Sequence, residues 1–432
     1  MAAEHVQLTG HLIDSGQLAR TLDTIMEHGA DYEMVELTVG KRHDDESSVT
    51  LQVTAATDDR LAEVLAAILD FGAVPMSQSD ARLEVADLDA CFPEQFYSTT
   101  NMRTEIRVEG QWIPVETPEM DCGVIVEDDG AGGHRARTIP MLEARAGDRI
   151  VVGFEGVRID AGRNLPSAGQ PRDHSFGFMS SDVSSEKPQG LMVKRVAQGM
   201  RDAKADGRRI LWVAGPALVH TGSVPATVAL VRAGYLDVLF AGNALPTHDI
   251  ENAIYGTSLG VSQALGIPTE HGHSHHIRAI NTVRRAGSIA AAVEQGLVTS
   301  GIMHACVEAG VEMVLAGSVR DDGPLPDVIV DMQVAQSAMR ALLPDVGYTL
   351  VVCTMLHGIA TGNLLPAEVP LVCVDINPAT VTKLADRGSA QATGIVTDVG
   401  LFVKGLAEEL APAELQDELA AAADRAEALA AR

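Results

Sequence analysis

The sequence predicts a multidomain α/β protein: a ferredoxin-like α+β module, then a small β-barrel-like middle region, then a doubly wound parallel-sheet domain. Three observations predict it. Strand and helix signals run β-α-β-β-α-β over residues 5–89, short strands with turn residues fill 91–163, and from Leu191 apolar strands alternate with helical segments. The predicted domains are therefore 1–90, 91–189 and 190–432.

The first module opens with a strand-like His5–Ile13 and a helical Gln17–His28. Tyr32–Val39 and Ser48–Val53 follow as strands around the charged turn KRHDDESS, then a helix at Asp58–Leu69 and a last strand at Arg82–Val85. That order is the split unit of ferredoxin-like folds. In the middle region EIRVEGQWIPV reads as a hairpin around Gly110, CGVIVEDDGAGGHRARTIPM as another around Gly130–Gly133, and GDRIVVGFEGVRI as two more strands. Residues 164–189 lack periodicity and are rich in Ser, Gly and Pro, as a linker or a functional loop would be.

In the last domain strands are expected at Arg209–Ala214, Leu236–Phe240, Val311–Leu315, Tyr348–Cys353, Leu371–Val374 and Gly394–Val396. Helices are expected at Leu191–Ala205, from Val224 and at Asp249–Leu265. Continuous apolar strands suit a parallel sheet covered on both faces. WVAG, LFAG and VLAG end three of them, at Gly215, Gly242 and Gly317. A glycine there lets the chain turn sharply and approach a ligand without a Cβ in the way. The tail Gly405–Arg432 reads as an Ala/Glu-rich helix pair broken at Pro412, a packing or oligomer surface.

Of the 432 residues 46% are apolar and 21% charged, which is a globular composition with room for a large core. A formal charge of −27 argues against nucleic acid and anionic membrane, since neither finds a basic surface to grip. The five cysteines are scattered without CxxC spacing, the usage of a reducing compartment. With no signal-like start and no long apolar run, a cytoplasmic location is expected.

Candidate chemistry gathers at the carboxyl ends of the late strands, where open α/β folds bind ligands. Asp375 closes a strand, where an acidic side chain bonds the ribose hydroxyls of a dinucleotide or simply caps the next helix. Neither GxGxxG nor GxxxxGK[ST] occurs, so phosphates would rest on helix N-termini, at Asn243-Ala244 and Thr354–His357. Asp322 and Asp398 sit on further strand-end loops. In the middle region Thr99, Thr100, Asn101 and Glu105 line a pocket or close a turn on themselves. Asp121, between Met120 and Cys122, is either paired or functional if buried. Lys187 beside Glu186 holds a substrate carboxylate or is a solvated charge. No cluster of carboxylates or thiols accompanies the run HGHSHH (271–276), and no metal is expected. Cys353 and Cys373 are read as inert thiols inside buried strands.

FYSTTNMRTEIRVEGQWIPVETPEMD, FMSSDVSSEKP, RAGYLDVLFAGNALPTHDIE, RAINTVRRAGSIAAAVEQG and VDINPATVTKLADRGSAQATGIVTDVGLF together resemble the archaeal-type ornithine cyclodeaminases. That family shares its sequence with the carboxy-terminal half of the cyanobacterial bifunctional arginine dihydrolase/ornithine cyclodeaminase. The amino-terminal part is similar to the LOR/SDH conserved region. The α/β domain resembles the deoxyhypusine-synthase-like variety of NAD-binding fold, which accounts for the missing glycine fingerprint. The resemblance implies conversion of L-ornithine to L-proline and ammonia with bound NAD and no net redox. It carries NAD contacts onto Asn243, Ala244, Asp322, Thr354, Met355, Leu356, His357, Asp375, Asp398 and Val399.

For the chemistry itself, Asp121 or Glu186 is expected as general base, with Lys187 or Arg103 holding the substrate carboxylate and Asn101 and Thr100 beside it. The partners expected are a small amino-acid substrate and further copies of the chain. An NAD-dependent opine- or saccharopine-type amine dehydrogenase and a non-catalytic NAD or amino-acid sensor are the competing readings.

Overall fold

The computed structural model describes residues 2–10, 12, 16–40, 45, 47–69, 71–76, 79–159, 183–184, 189–262, 272–321, 323–386 and 392–430. Glu186, Lys187 and Asp322 lie outside the described residues, as does His271 of the histidine run. The fold is mixed α/β, and the chain divides into two compact units. The first holds the described residues through Ile159 together with Asn363–Glu368.

Its amino-terminal layer is a four-stranded antiparallel sheet of order β2-β3-β1-β4. In chain order the elements are β1 (Ala2–Gly10), α1 (Gln17–Glu27), β2 (Asp31–Thr38), β3 (Ser47–Ala55), α2 (Asp58–Leu69) and β4 (Val74–Pro75). Strict alternation along β3 turns Val49, Leu51 and Val53 to one face. There they form a core with Val6 and Leu8 of β1, Ile25 of α1, and Val64 and Ile68 of α2.

Arg82–Val85, expected to complete this sheet, is instead β5 of the next one. It pairs antiparallel with β10 (Arg149–Val152), and Leu83 packs among the middle-region core. A four-residue alternating run carries no information about which ladder it joins, and the place beside β1 is taken by the shorter β4.

The seven-stranded middle sheet runs β11-β6-β7-β9-β8-β10-β5. Its other members are β6 (Thr104–Val108), β7 (Gln111–Glu116), β8 (Gly123–Asp128), β9 (His134–Ile139) and β11 (Val157–Ile159). β6–β7 and β8–β9 are the two expected hairpins, and Ile106, Val124, Val126 and Val151 form their core.

The second unit comprises the described residues from Val183 to Gly362, with Val369–Asp386 and Ala392–Ala430. Its chain order is β12 (Val183–Ser184), α3 (Gln189–Ala205), β13 (Arg209–Ala214), α4 (Ala217–His220), α5 (Val224–Arg232), β14 (Val238–Gly242) and α6 (Ala244–Tyr255). Next come β15 (Thr257–Ser258), β16 (Val261–Ser262), α7 (His275–Ala286), α8 (Ile289–Glu294), α9 (Ile302–Ala309), β17 (Glu312–Ala316), β18 (Val328–Ile329) and α10 (Met332–Ala341). β19 (Val346–Val352), α11 (Leu356–Leu364), β20 (Leu371–Asp375), α12 (Pro378–Asp386), β21 (Ala392–Val396), α13 (Val399–Leu410) and α14 (Pro412–Ala430) complete it.

Eight strands form one sheet of order β12-β21-β20-β19-β13-β14-β17-β18, and every pair in it is parallel. From β13 the chain winds outward through β14 and β17 to β18. It then returns to lay β19 against the other side of β13 and winds away through β20 and β21. The reversal between β13 and β19 is the switch point of a doubly wound sheet. Trp212, Phe240, Leu350, Val351 and Cys373 are almost wholly excluded from water, as strands covered on both faces require.

Two expectations about this unit change. The helix placed at Asp249–Leu265 starts immediately after β14, at Ala244, and stops at Tyr255. Gly256 ends it in the left-handed conformation, and β15 and β16 follow as a tight antiparallel hairpin. Cys353 is not inside a strand. It is the first residue past β19, half-buried, with φ at 47°.

Asp249 on α6 is fully buried, and its carboxylate accepts the amides of Ile302 (2.8 Å) and Met303 (2.7 Å) at the start of α9. Asp249→Ala is expected to cost about 2–4 kcal/mol, because it removes a helix cap and leaves buried amides unpaired. Urea denaturation measures the loss, and a midpoint equal to the native protein's would contradict it. The tail helix α14 lies against α5, where Arg232 pairs with the buried Glu418. Among the described residues no helix is long and apolar enough to cross a membrane.

Candidate functional site

A cavity of about 630 Å³ opens at the carboxyl edge of the parallel sheet, over the switch point. The end of β13 supplies Ala214, Gly215 and Pro216, and the end of β14 supplies Gly242, Asn243 and Ala244. Ser318, Arg320 and Asp321 come from the loop after β17, and Cys353–His357 from the turn after β19. Short strand-to-helix connections explain why these residues meet: parallel strands end at one edge, and each chain must turn there into its helix.

The glycines that end β13 and β14 make room for the protein's own backbone and side chains. A Cβ on Gly215 would collide with the carbonyl oxygen of Cys353, so the neighbouring strand ends β13 and β19 can close on each other only at a glycine. A Cβ on Gly242 would stand 3.3 Å from the His357 ring. The expectation that these glycines clear space for a ligand is thus amended: what approaches them is the turn after β19.

Asn243, at the head of α6, is buried, and its side-chain oxygen accepts the Leu325 amide at 2.9 Å. The amides of Ala244 and Leu245 have no partner inside the helix and lie at the cavity's edge, an arrangement that suits an anion. Across from them His357 is half-buried. Burial pulls its imidazole below the ordinary value, opposed by its hydrogen bond to the Ala316 carbonyl and by the charge of Asp321. Asp321 closes its own turn, accepting the Ser318 amide at 2.8 Å. The Cys353 thiol is pushed up to about 11, chiefly by burial, and the Cys373 thiol to about 12 for the same reason. Neither is a thiolate near neutrality.

Asn243, Ala244, Thr354, Met355, Leu356 and His357 therefore line one cavity. Asp375, Asp398 and Val399 belong to the strand ends further along the same edge and are not among its lining residues. Asp375 accepts the Asn377 amide at 2.8 Å, and Asp398 caps α13 through the Leu401 amide at 2.9 Å. Asp398 is thus a helix cap, whereas Asp375 closes the turn before α12, whose cap is the Asn377 side chain accepting the Ala379 amide at 3.0 Å.

The middle-region candidates belong to the first unit. Asn101 is buried, with its side-chain amide on the Leu365 carbonyl at 3.3 Å. Thr100 accepts the Met102 amide at 3.3 Å, the turn-closing role. Arg103 forms an ion pair with Glu368, and both border a groove of about 420 Å³ with Glu105 and Pro114. Asp121 is exposed with φ at 61°, so the burial that would have made it notable is absent. Its backbone amide binds the Thr99 carbonyl at 3.1 Å.

Sequence reading passed over the far wall of the large cavity, made by His220 on α4, His248 on α6 and His276 on α7. Behind it lies Glu251, fully buried. Burial pushes the Glu251 carboxyl up, but hydrogen bonds from His248, the Gly260 amide and Thr257 outweigh it and hold the group below its ordinary value. His220 is drawn down by burial and by its neighbour His248, against the pull of Glu251. The available signal was that His220 and His248 each follow a strand-ending glycine within one short connection, in PALVHTGS and NALPTHD. Among the described residues no group of His, Cys, Asp and Glu is arranged to hold a metal ion.

Sequence comparison divides the chain into three matched stretches. Residues 3–102 match the LOR/SDH bifunctional enzyme conserved region. Residues 103–193 match the first region of the arginine dihydrolase ArgZ-like C-terminal part, and 194–406 match its Rossmann-fold region. A protein of Methanothermobacter thermautotrophicus named ornithine cyclodeaminase is 48% identical over 95% of this chain and 98% of its own length. Among solved structures, apo ArgZ, an arginine dihydrolase from the ornithine-ammonia cycle in cyanobacteria, superposes with a TM-score of 0.80 at 36% identity. The match covers 95% of this chain and 58% of that one. A ternary complex of AgrE with ornithine and NAD+ matches at 38% identity with a TM-score of 0.50, covering 95% of this chain and 57% of that one.

Proposed function

This chain belongs to the archaeal-type ornithine cyclodeaminase family, and from that premise we propose that it converts L-ornithine to L-proline and ammonia with NAD as cofactor. The observation that carries the reading is the cavity at the switch point between β13 and β19, where doubly wound sheets bind dinucleotides. Its volume of about 630 Å³ lies within the roughly 300–1,000 Å³ of small-molecule sites.

The residues fit the cofactor. The first α6 amides, at Ala244 and Leu245, suit a pyrophosphate, and Asn243, Thr354, Met355, Leu356 and His357 would wall the nucleotide. Asp375, Asp398 and Val399 extend the same edge, and Asp375 would take a ribose hydroxyl. Asp322 is assigned to this group by family resemblance. The lack of a glycine fingerprint supports the deoxyhypusine-synthase-like variety of the fold. Bound there, the nicotinamide accepts the hydride of the ornithine α-carbon and restores it after ring closure.

This chain's residues have other tasks. The buried apolar residues of the lining, Leu245 and Ile280, give the reacting carbon a side from which water is excluded. For the substrate carboxylate Arg103 or Lys187 is proposed, with Asn101 and Thr100 beside it, and Asp121 or Glu186 is proposed as general base. Arg103 would have to exchange Glu368 for that carboxylate. Asp121→Asn tests the remaining candidate: lost turnover with intact NAD binding would place Asp121 in the chemistry, and full activity would remove it.

The strand order β2-β3-β1-β4 supports a ferredoxin-like first module near 1–90, and a sheet built of short strands with two hairpins is what a barrel-like region over 91–189 would use. Assembly as a homo-oligomer follows from the same reading and is measured by light scattering.

Incubation with α-¹⁵N-labelled ornithine and NAD+ tests the function. The expected products are unlabelled proline and labelled ammonia in equal amounts, without accumulating NADH. Net NADH would favour an opine- or saccharopine-type dehydrogenase, and binding without product a sensor.

A further inference from the structure

One wall of the cavity is built of imidazoles to which the proposed cofactor contacts assign no part. The rings of His220 and His248 have centroids 5.0 Å apart, and those of His248 and His276 6.3 Å. His248 and Glu251 lie three residues apart on α6, on one face of the helix. Glu251 Oε2 accepts from His248 Nδ1 at 2.9 Å, and its Oε1 accepts from the Thr257 hydroxyl and the Gly260 amide, each at 2.9 Å.

A carboxylate wholly removed from water is costly unless its lone pairs are met, and here both oxygens have donors. That arrangement fixes the ring. Nδ1 carries the proton toward Glu251, leaving Nε2 on the other edge as an acceptor in a residue that lines the cavity. His220 is anchored separately, by Ser258 Oγ at 2.6 Å from its Nδ1. The β15–β16 hairpin supplies both Thr257 and Ser258, so one short element positions the supports of both rings.

We propose that His248, held by Glu251, is the catalytic acid and base of this site, and that Glu251 is its positioning residue. The proposal rests on the ornithine reading. Once the α-carbon is oxidised to the imine, His248 Nε2 accepts a proton as the δ-nitrogen forms its bond to that carbon. The imidazolium gives this proton to the α-nitrogen as its bond to the carbon breaks and ammonia departs. The ring ends as it began, and no proton is gained or lost. A side chain that both takes and returns a proton near neutral pH is the ordinary task of histidine. Among the described residues, the other charged or titratable groups facing the cavity are His220, His276, Arg320, Asp321, Cys353 and His357.

The test compares native enzyme, His248→Asn and Glu251→Gln by melting temperature, NAD+ titration, the pH dependence of kcat, and the NMR titration of histidine ring protons. His248→Asn is expected to lower kcat by about a hundredfold or more, the scale of general acid–base catalysis. Its NAD+ dissociation constant should stay within about threefold of native, since removal of a purely chemical group spares binding. Glu251→Gln keeps an oxygen acceptor but removes the negative charge behind the ring. The ring then releases its proton more readily, so the acid limb of the kcat profile and the His248 resonance both move to lower pH.

A structural role for Glu251 would lower stability without moving that limb. Should His248→Asn fail to fold, the shift in Glu251→Gln decides. A native enzyme that makes proline beside a fully active His248→Asn, or an unmoved acid limb in Glu251→Gln, overturns this assignment alone. A native enzyme that makes no proline overturns the ornithine reading and this assignment with it.

Discussion

Gly215→Ala is expected to destabilise the α/β unit by about 1–3 kcal/mol, the usual cost of overpacking, and to remove most of its affinity for NAD+. The added Cβ would meet the Cys353 carbonyl oxygen, a backbone atom that cannot swing aside as a side-chain end would. Cys353 is already in the left-handed region at φ 47°, which costs a non-glycine residue energy before any further push. Relief must come from moving the turn that carries Thr354, Met355, Leu356 and His357, the wall of the proposed cofactor site. Thermal melting and NAD+ titration read the two effects separately. A variant with native melting temperature and native affinity would show that the approach of β13 and β19 has slack the geometry does not suggest.

The second large effect is expected at Asp375. A hydrogen bond to a charged group contributes roughly 1.5–3 kcal/mol, so losing a ribose contact should weaken NAD+ binding by about tenfold to a hundredfold. Asp375→Ala alone would be ambiguous, because the same carboxylate accepts the Asn377 amide and helps start α12. Asp375→Asn resolves this. It keeps an oxygen for the Asn377 amide and removes the charge, so the turn survives while the ribose contact weakens. Native NAD+ affinity in both variants would leave Asp375 a residue that closes the turn before α12 and nothing more.

Legibility in the sequence followed the physics of each signal. The parallel sheet was readable because strands covered on both faces must be apolar throughout, and WVAG, LFAG and VLAG said so three times. The shared edge followed from parallelism, which put Asn243, Ala244 and Thr354–His357 on one side of the sheet, and they line one cavity there. The placement of Arg82–Val85 was not readable, because the choice between two ladders is made by tertiary packing. Nor was the end of α6. Apolar residues continue past Gly256 as VSQALGI, and only the hairpin pairing of Thr257 with Ser262 reveals the break.

The histidine wall was hidden for a different reason. His220, His248 and His276 come from separate helices, and the carboxylate that organises them is three residues from only one. The run HGHSHH drew attention to itself as a cluster, yet among its described residues His276 lines the cavity, while His275 bonds Thr257 and stacks on Tyr255. Asp121 shows the converse. Apolar neighbours in sequence suggested burial, but a residue at a turn before a strand points where the turn directs it, here to solvent.

The most direct measurement is a crystal structure of the protein grown with saturating NAD+. The account predicts the dinucleotide along the carboxyl edge of the parallel sheet, over β13 and β19, against Asn243, Ala244 and His357. Cofactor bound anywhere else on the protein, or a cleft that stays closed to it at saturation, would contradict the account.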